Sequence, residues 1–301
     1  MITPLKQVCE WKEPSEVAKE LIKSFGEAGF IWLDGDSSDR GRWVTLAVEP
    51  IEQVCTRGLP GDIETSLNPF QILRNLTYGH WTGWLSYEAG AWLEPKNLWK
   101  QDNMATLWMA RHDPVLKFDL KKKLFWLEGS DRKRLDRFLK WLNSIKSKRN
   151  SFTQKSVNKK KRGISIDEWQ WITTSEQYTN NVETMQKLIS QGDIFQANLS
   201  ACCKAKKPEN ILATDLYLKL RARCPAPFSG IVVGAKETLG EAIMSTSPER
   251  FLKVLPNGEV ETRPIKGTRP RSNNPKVDAD LAADLICSPQ DRAENIMIVD
   301  L

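Results

Sequence analysis

Histidine is scarce in this chain of 301 residues. His80 and His112 are the only two, too few for a zinc site of ordinary ligand spacing, and each reads as structural. The six cysteines (Cys9, Cys55, Cys202, Cys203, Cys224, Cys287) contain no Cys-x-x-Cys pair, and a chain of this length buries enough core to fold without disulfides. A reducing, cytoplasmic compartment is expected. Long apolar runs are lacking too: nothing approaches the roughly 20 residues that span a bilayer, and Met1-Ile2-Thr3-Pro4-Leu5-Lys6 has the makings of neither a signal nor a transit peptide. No membrane association is predicted.

What remains is the composition of a soluble globular protein, 40% hydrophobic and 27% charged, with room for two domains. The formal net charge of +6 suggests nucleic-acid binding until it is located. Eight basic residues and no acids fall between Asn143 and Arg162, and the remainder is slightly acidic. The same stretch is rich in Ser, Asn and Gln, has no apolar period, and holds only the isolated Phe152 as an aromatic. Residues 143–163 therefore read as a basic flexible linker, and nucleic acid is not an expected partner.

Residues 1–142 read as short strands between two helices. Strand-like runs are Phe30–Leu33, Trp43–Val48, Trp81–Tyr87, Thr106–Ala110, Val115–Phe118 and Leu124–Phe125-Trp126-Leu127, the last two joined by a short hairpin at 119–123. The periodicity predicts helices over 15–26 and 131–145, the second with Leu135, Phe138, Leu139 and Leu142 on one face. Most of the twelve tryptophans lie in strand-like runs and are expected in a sheet core. Residues 164–301 open with a cap at Thr173–Glu176 and a helix ended by Gly192. Ile194–Ser200 is predicted as a strand with Gln196, Asn198 and Ser200 on one face. A helix over 213–223, strands at 228–233, 242–244, 251–255 and 260–262, and an Asn257-Gly258 hairpin turn follow.

Chemistry-bearing residues gather in the second part. Lys266 stands in Pro264-Ile265-Lys266-Gly267-Thr268-Arg269-Pro270-Arg271, between a strand-like run and a new element. It is a solvated surface lysine or a nucleophile. Glu249, in Ser247-Pro248-Glu249-Arg250-Phe251, is a surface partner of Arg250 or a general acid. Asp291 and Glu294, three residues apart, share a helix face that is either solvated or metal-binding. The polar row at Gln196 is the wet face of a sheet or part of a site.

Taken in order, Gly192–Ser200, Ser247–Phe251, Pro264–Arg271 and Asp291–Leu301 resemble the chorismate-utilising enzymes, and within them aminodeoxychorismate synthase component I, over about 110 residues. Its sister, anthranilate synthase component I, normally carries alanine where this chain has Lys266. The resemblance implies an α+β fold of two large, mostly antiparallel sheets facing each other with outer helices. Residues 1–142 would be an N-terminal subdomain and residues 164–301 the first part of the chorismate-binding catalytic subdomain.

The implied activity is amination of chorismate at C4 to 4-amino-4-deoxychorismate, the precursor of 4-aminobenzoate for folate. Anthranilate synthesis and a non-catalytic remnant are the alternatives. By the same resemblance Lys266 is the covalent nucleophile that adds at C2, Glu249 the general acid, and Glu294 a Mg2+ ligand with Asp291 behind it. Gln196, Gly267 and Thr268 would contact substrate, Gln196 because members that add water carry a lysine base there. The chain has no Cys-His constellation of a glutaminase, so ammonia would come from a separate glutamine amidotransferase subunit. Relatives also form a tryptophan pocket. Cys224–Ser229 keeps one part of it, but Leu33-Asp34-Gly35-Asp36 lacks the expected serine, which speaks against tryptophan binding. The family's motif continues past Asp300-Leu301, into a Gly-rich loop, a second magnesium ligand and a substrate-binding arginine, so the fold is expected to be incomplete at its C-terminus and this chain alone to have little activity.

Overall fold

The computed structural model describes residues 4–62, 67–96, 99–100, 102–145 and 164–300. Two compact units make up the chain, one from residues 1–147 and 216–301, the other from residues 148–215. From residue 146 on, the basic stretch lies outside the described residues.

In chain order the elements are β1 (Leu5–Cys9), α1 (Pro14–Phe25), β2 (Ile31–Asp34), β3 (Trp43–Ala47), β4 (Glu52–Thr56), α2 (Pro69–Arg74), β5 (His80–Leu85), β6 (Leu107–His112), β7 (Val115–Asp119), β8 (Leu124–Gly129) and α3 (Arg132–Ser144). Then come β9 (Gln170–Trp171), α4 (Ser175–Gln191), β10 (Cys203–Lys204), α5 (Ala213–Arg223), β11 (Phe228–Val233), β12 (Ala242–Ser247), β13 (Lys253–Val254), β14 (Val260–Glu261), α6 (Pro275–Cys287) and α7 (Pro289–Asp300).

The larger unit is built on a seven-stranded sheet in the order β1-β8-β7-β3-β2-β11-β12, with every neighbouring pair antiparallel. Strand alternation sends Trp32, Val44, Leu46, Leu116, Phe118, Phe125 and Leu127 to one side, where all are buried. Val17, Ala18 and Leu21 of α1 and Leu135, Phe138 and Leu142 of α3 are buried on the helices over β3 and β8. Both helices carry their apolar residues at three- and four-residue spacing, which is why they lie flat on a sheet. On the other side Ile31, Ala47, Val115 and Val232 share a core with Trp84, Trp108 and Ala110 of a three-stranded sheet, β4-β6-β5. Each such large apolar side chain contributes about 1.5–3 kcal/mol on burial. The expected α+β class with antiparallel sheets is borne out, as seven strands packed with three and helices outside.

In the smaller unit Thr174 caps α4, accepting the N–H of Gln177 while Gln177 returns a bond to Thr174 N–H. Gly192 ends the helix at φ 81°, as its position in the sequence predicts. Beyond it the prediction of a strand over Ile194–Ser200 fails. That segment is irregular and largely exposed, because among the described residues the unit's one ladder joins β9 to β10 and offers it no partner. Gln196 is therefore an exposed residue on irregular backbone.

Other departures have physical causes. The strands expected at 251–255 and 260–262 shrink to the two-residue β13 and β14, paired across the Asn257-Gly258 turn. Unpredicted β1 and β4 are an edge strand and a half-exposed strand with weak alternation. Also unpredicted is α6, although Asn274 caps it and Pro275 opens it. Of the tryptophans, Trp32, Trp84, Trp108 and Trp126 are buried, but Trp43, Trp169 and Trp171 are exposed, so strand membership alone did not imply a core position. Among the described residues no helix is long and apolar enough to cross a membrane.

Candidate active site

The sheet and the C-terminal helices place the motif residues. Strand β12 ends at Ser247, whose hydroxyl donates to the Glu249 carbonyl at 2.6 Å and turns the chain there. After the β13–β14 hairpin the chain returns through Pro264–Arg271 alongside that turn. Here Glu249 Oε2 accepts the backbone N–H of Ile265 at 3.0 Å. The candidate acid is thus bonded to the residue just before the candidate nucleophile.

Lys266 is half-buried. Its side chain faces an open groove of about 380 Å³ shared with Leu285 and Ile286 of α6 and with Asp291, Arg292, Asn295 and Ile296 of α7. No hydrogen bond or ion pair engages its Nζ among the described residues. Gly267 follows at φ +74°, a backbone conformation that favours glycine. Thr268 is exposed, with its carbonyl accepting from Arg269 at 3.0 Å.

Two arginines tie this loop to the helices. Arg269 donates through Nε to Asp284 of α6 and reaches Asp291 of α7 at 3.2 Å. The hydrogen bond to Asp284, with added attraction from Asp291, holds its guanidinium above its ordinary range. Arg271 grips Asp278 of α6 through two bonds of 2.8 Å. That bidentate bond, with the N–H of Ser272, holds the Asp278 carboxyl at about 2.

Glu249 faces a different space. It lines a cavity of about 230 Å³ with Arg40, Trp43, Phe228 and Arg250, not the groove of Lys266. The surface pairing of Glu249 with Arg250 is not found: Arg250 pairs with Glu261 and lies over the Phe228 ring at 5.2 Å. Loop and helices therefore bring together Lys266, Gly267 and Asp291, while Glu249 lines a separate cavity. Gln196 belongs to the smaller unit.

A magnesium ion is a hard cation that keeps several waters and needs one or two protein carboxylates. Glu294 suits that role. It lies one turn along α7 from Asp291, its one hydrogen bond comes from Gln290 at 3.3 Å, and no cation pairs with it among the described residues. Asp291 is instead occupied by Arg269. Among the described residues no three His, Cys, Asp or Glu side chains converge into a metal-binding group.

Sequence reasoning missed Arg269 and the α6–α7 wall of the groove. The wall had a signal: Asp291, Arg292, Asn295 and Ile296 recur at three- and four-residue spacing, one face of a helix.

A family model described as chorismate binding enzyme matches residues 26–301. The anthranilate synthase component I-like protein of Synechocystis sp. is 30% identical over 97% of this chain and 61% of its own length. Aminodeoxychorismate synthase component 1 of Escherichia coli is 40% identical, over 44% of this chain and 28% of its own. Anthranilate synthase component I from Streptococcus pneumoniae has the same fold, with a TM-score of 0.60 and 21% identity over 87% of this chain and 61% of that one. This chain thus spans 61% or less of the length of these three proteins.

Proposed function

The chain belongs to the chorismate binding enzyme family, and on that premise we propose that it aminates chorismate at C4, giving 4-amino-4-deoxychorismate for 4-aminobenzoate and folate synthesis. The observation that carries this reading is Lys266: an amine without a carboxylate partner among the described residues, set in a groove beside Asn295 and Arg292. Relatives named aminodeoxychorismate synthase, from Escherichia coli and Arabidopsis thaliana, support it at 40% and 36% identity.

In the proposed reaction the neutral Lys266 amine adds at C2 of the ring. The diene electrons shift and the C4 hydroxyl departs, taking a proton from Glu249 and leaving as water. Ammonia then attacks C4, and the reverse shift expels Lys266 as a free amine. Net, one ammonia enters and one water leaves. Glu249 is bonded to the Ile265 N–H and faces the neighbouring cavity, so delivering its proton requires its side chain to turn toward the groove of Lys266. Thr268, exposed beside Gly267, contributes a polar contact. Mg2+ held by Glu294 would neutralise the ring carboxylate when bound. Ammonia would come from a glutamine amidotransferase subunit, and the six unpaired cysteines accord with a cytoplasmic setting.

A second reading has its own support. Relatives named anthranilate synthase component 1 or its like match along almost the whole chain, the Methanothermobacter thermautotrophicus protein at 27% identity over 99% of it. Amination would then occur at C2.

One experiment separates the two. Incubation of the chain, completed with the family's C-terminal segment, with chorismate, Mg2+ and ammonium should give the 4-amino product, and protein trapped during turnover should carry an adduct on the Lys266 peptide. Lys266→Ala should lose both the adduct and C4 amination at low ammonium. Lys266→Arg should not restore them, since a guanidinium stays protonated. Anthranilate as product, or full C4 amination by Lys266→Ala with no adduct in the wild type, would overturn the first reading.

A further inference from the structure

Building on the reading of Lys266 as the reacting amine, we propose that Arg269 is a positioning residue that holds the Lys266 loop at its working distance from α7. Arg269 does not line the groove and touches none of the atoms that would react. Its guanidinium instead spans two carboxylates on two helices, Asp284 near the end of α6 and Asp291 in the first turn of α7. Exposed ion pairs of this kind contribute little. The Asp291 arm differs, because both partners are shielded, at 27% and 17% side-chain exposure.

Asp291 has a second contact. Its carboxylate packs directly on Gly267, where a Cβ would come within 2.6 Å of Oδ1 and 2.8 Å of Leu285 Cδ1. Arg269 therefore holds Asp291 where Asp291 touches the loop, two residues from Arg269 itself. This small closed circuit of loop, carboxylate and guanidinium leaves Gly267 no slack toward α7. On the other side the loop is tied by the Ile265 N–H to Glu249. Between those two fixed residues stands Lys266, facing Asn295 and Ile296. Reaction at a ring carbon needs the amine within near-attack distance, and a shift of about 1 Å costs up to about 100-fold in rate. The circuit opposes a shift of that kind.

The test compares wild type, Arg269→Ala, Arg269→Lys and Asp291→Asn by two readouts. One is kcat and KM for chorismate with ammonium. The other is the rate of Lys266 acetylation by trace acetic anhydride, measured by peptide mass spectrometry against exposed Lys19. Arg269→Ala should lower kcat by about 100-fold with KM within about 3-fold, and should change the Lys266 labelling ratio by several-fold. Arg269→Lys, whose single amine serves one carboxylate at a time, should lose about 10-fold. Joining Arg269→Ala to Asp291→Asn should cost no more than Arg269→Ala alone, since both break one circuit.

Unchanged labelling in Arg269→Lys and Asp291→Asn overturns the proposal even where Arg269→Ala fails to fold. So does a rise in KM at constant kcat, which would mark Arg269 as a substrate contact. If the wild type completed with the family's C-terminal segment turns over no chorismate, the functional reading fails, while the labelling ratios still decide whether Arg269 positions Lys266.

Discussion

The carboxylate of Asp291 lies so close to Gly267 that a Cβ built there would stand 2.5 Å from its Cγ. A flexible aspartate could swing away at small cost, but this one is held by Arg269. The backbone at Gly267 also lies at φ +74°, where an L side chain is strained by about 1 kcal/mol or more. Gly267→Ala should therefore destabilise the larger unit by on the order of 1–3 kcal/mol and displace Lys266. Chemical denaturation checks the first and the Lys266 labelling ratio the second. Wild-type values in both would mean that the loop yields freely.

His112 governs a separate pH window. It is buried, with Nε2 2.9 Å from the Gly29 carbonyl, and burial lowers its pKa from 6.5 to about 4, assisted by repulsion from Arg134 and His80 and opposed by backbone bonds to Gly29 and Ala110. The unfolded chain then binds a proton between pH 6.5 and 4 that the folded chain refuses. Stability is complete above about 6.5 and falls as the pH drops toward 4, by about 3 kcal/mol in total. His112→Gln should flatten most of that slope in unfolding measured across pH 4–7. His80, also lowered chiefly by desolvation, would leave a small remainder. An unchanged slope would show that His112 takes up its proton at the same pH in the folded and the unfolded chain.

Asp119 acts lower. Hydrogen bonds from Arg42 Nε, at 2.8 Å, and Nη2 hold its carboxyl down at about 2, against 3.8 ordinarily, with the N–H groups of Lys121 and Lys122 adding to the effect. The pair closes the β3–β7 end of the seven-stranded sheet. Its contribution is present above pH 3.8 and is lost as pH falls toward 2. Asp119→Asn should cost on the order of 2–3 kcal/mol at neutral pH and remove the final acid limb of the unfolding curve. An acid limb identical to that of wild type would assign that limb to other carboxylates.

Local signals were legible where one short segment carried them. Thr174, Gly192, the α3 stripe and the Asn257-Gly258 turn each specify their geometry within a few residues, and the structure keeps all four. Ile194–Ser200 alternates as a strand would, yet pairing needs a second strand, which alternation cannot supply. Strand β11 pairs with β2 across nearly 200 residues of sequence, and no local pattern names such a partner. At the site, Lys266 and Glu249 were legible as motif residues. The Arg269 circuit was not, because an arginine near acids is ordinary until folding brings α6 and α7 to the loop. That Glu249 and Lys266 face different cavities follows from how the chain folds back after the β13–β14 turn, which residue order does not encode.

Asp34 is the clearest case of a buried charge made tolerable by its partners. Its carboxylate is 1% exposed and accepts from Tyr217 at 3.0 Å, from Arg221 Nε, and from the N–H of Gly35 at 2.9 Å. Burial first, and then the charge of Asp34, pushes the Tyr217 phenol well above its ordinary range, so it remains a donor. Tyr217 also meets Trp32 edge-on, with ring centroids 5.3 Å apart, and the Arg221 guanidinium lies over the same indole. Removing the acceptor strands a buried hydroxyl and leaves a guanidinium without its counter-charge, so Asp34→Ala should cost about 3–5 kcal/mol. Tyr217→Phe, which deletes one donor to a charged group, should cost about 1.5–3 kcal/mol. The two losses should not add: once Asp34 is gone the hydroxyl has nothing to donate to, and Tyr217→Phe in the Asp34→Ala background should be close to neutral. Equilibrium urea unfolding of the two single variants and the double variant measures this. Full additivity would mean that Asp34 and Tyr217 stabilise the β2–β11 region independently, with Arg221 alone balancing the carboxylate.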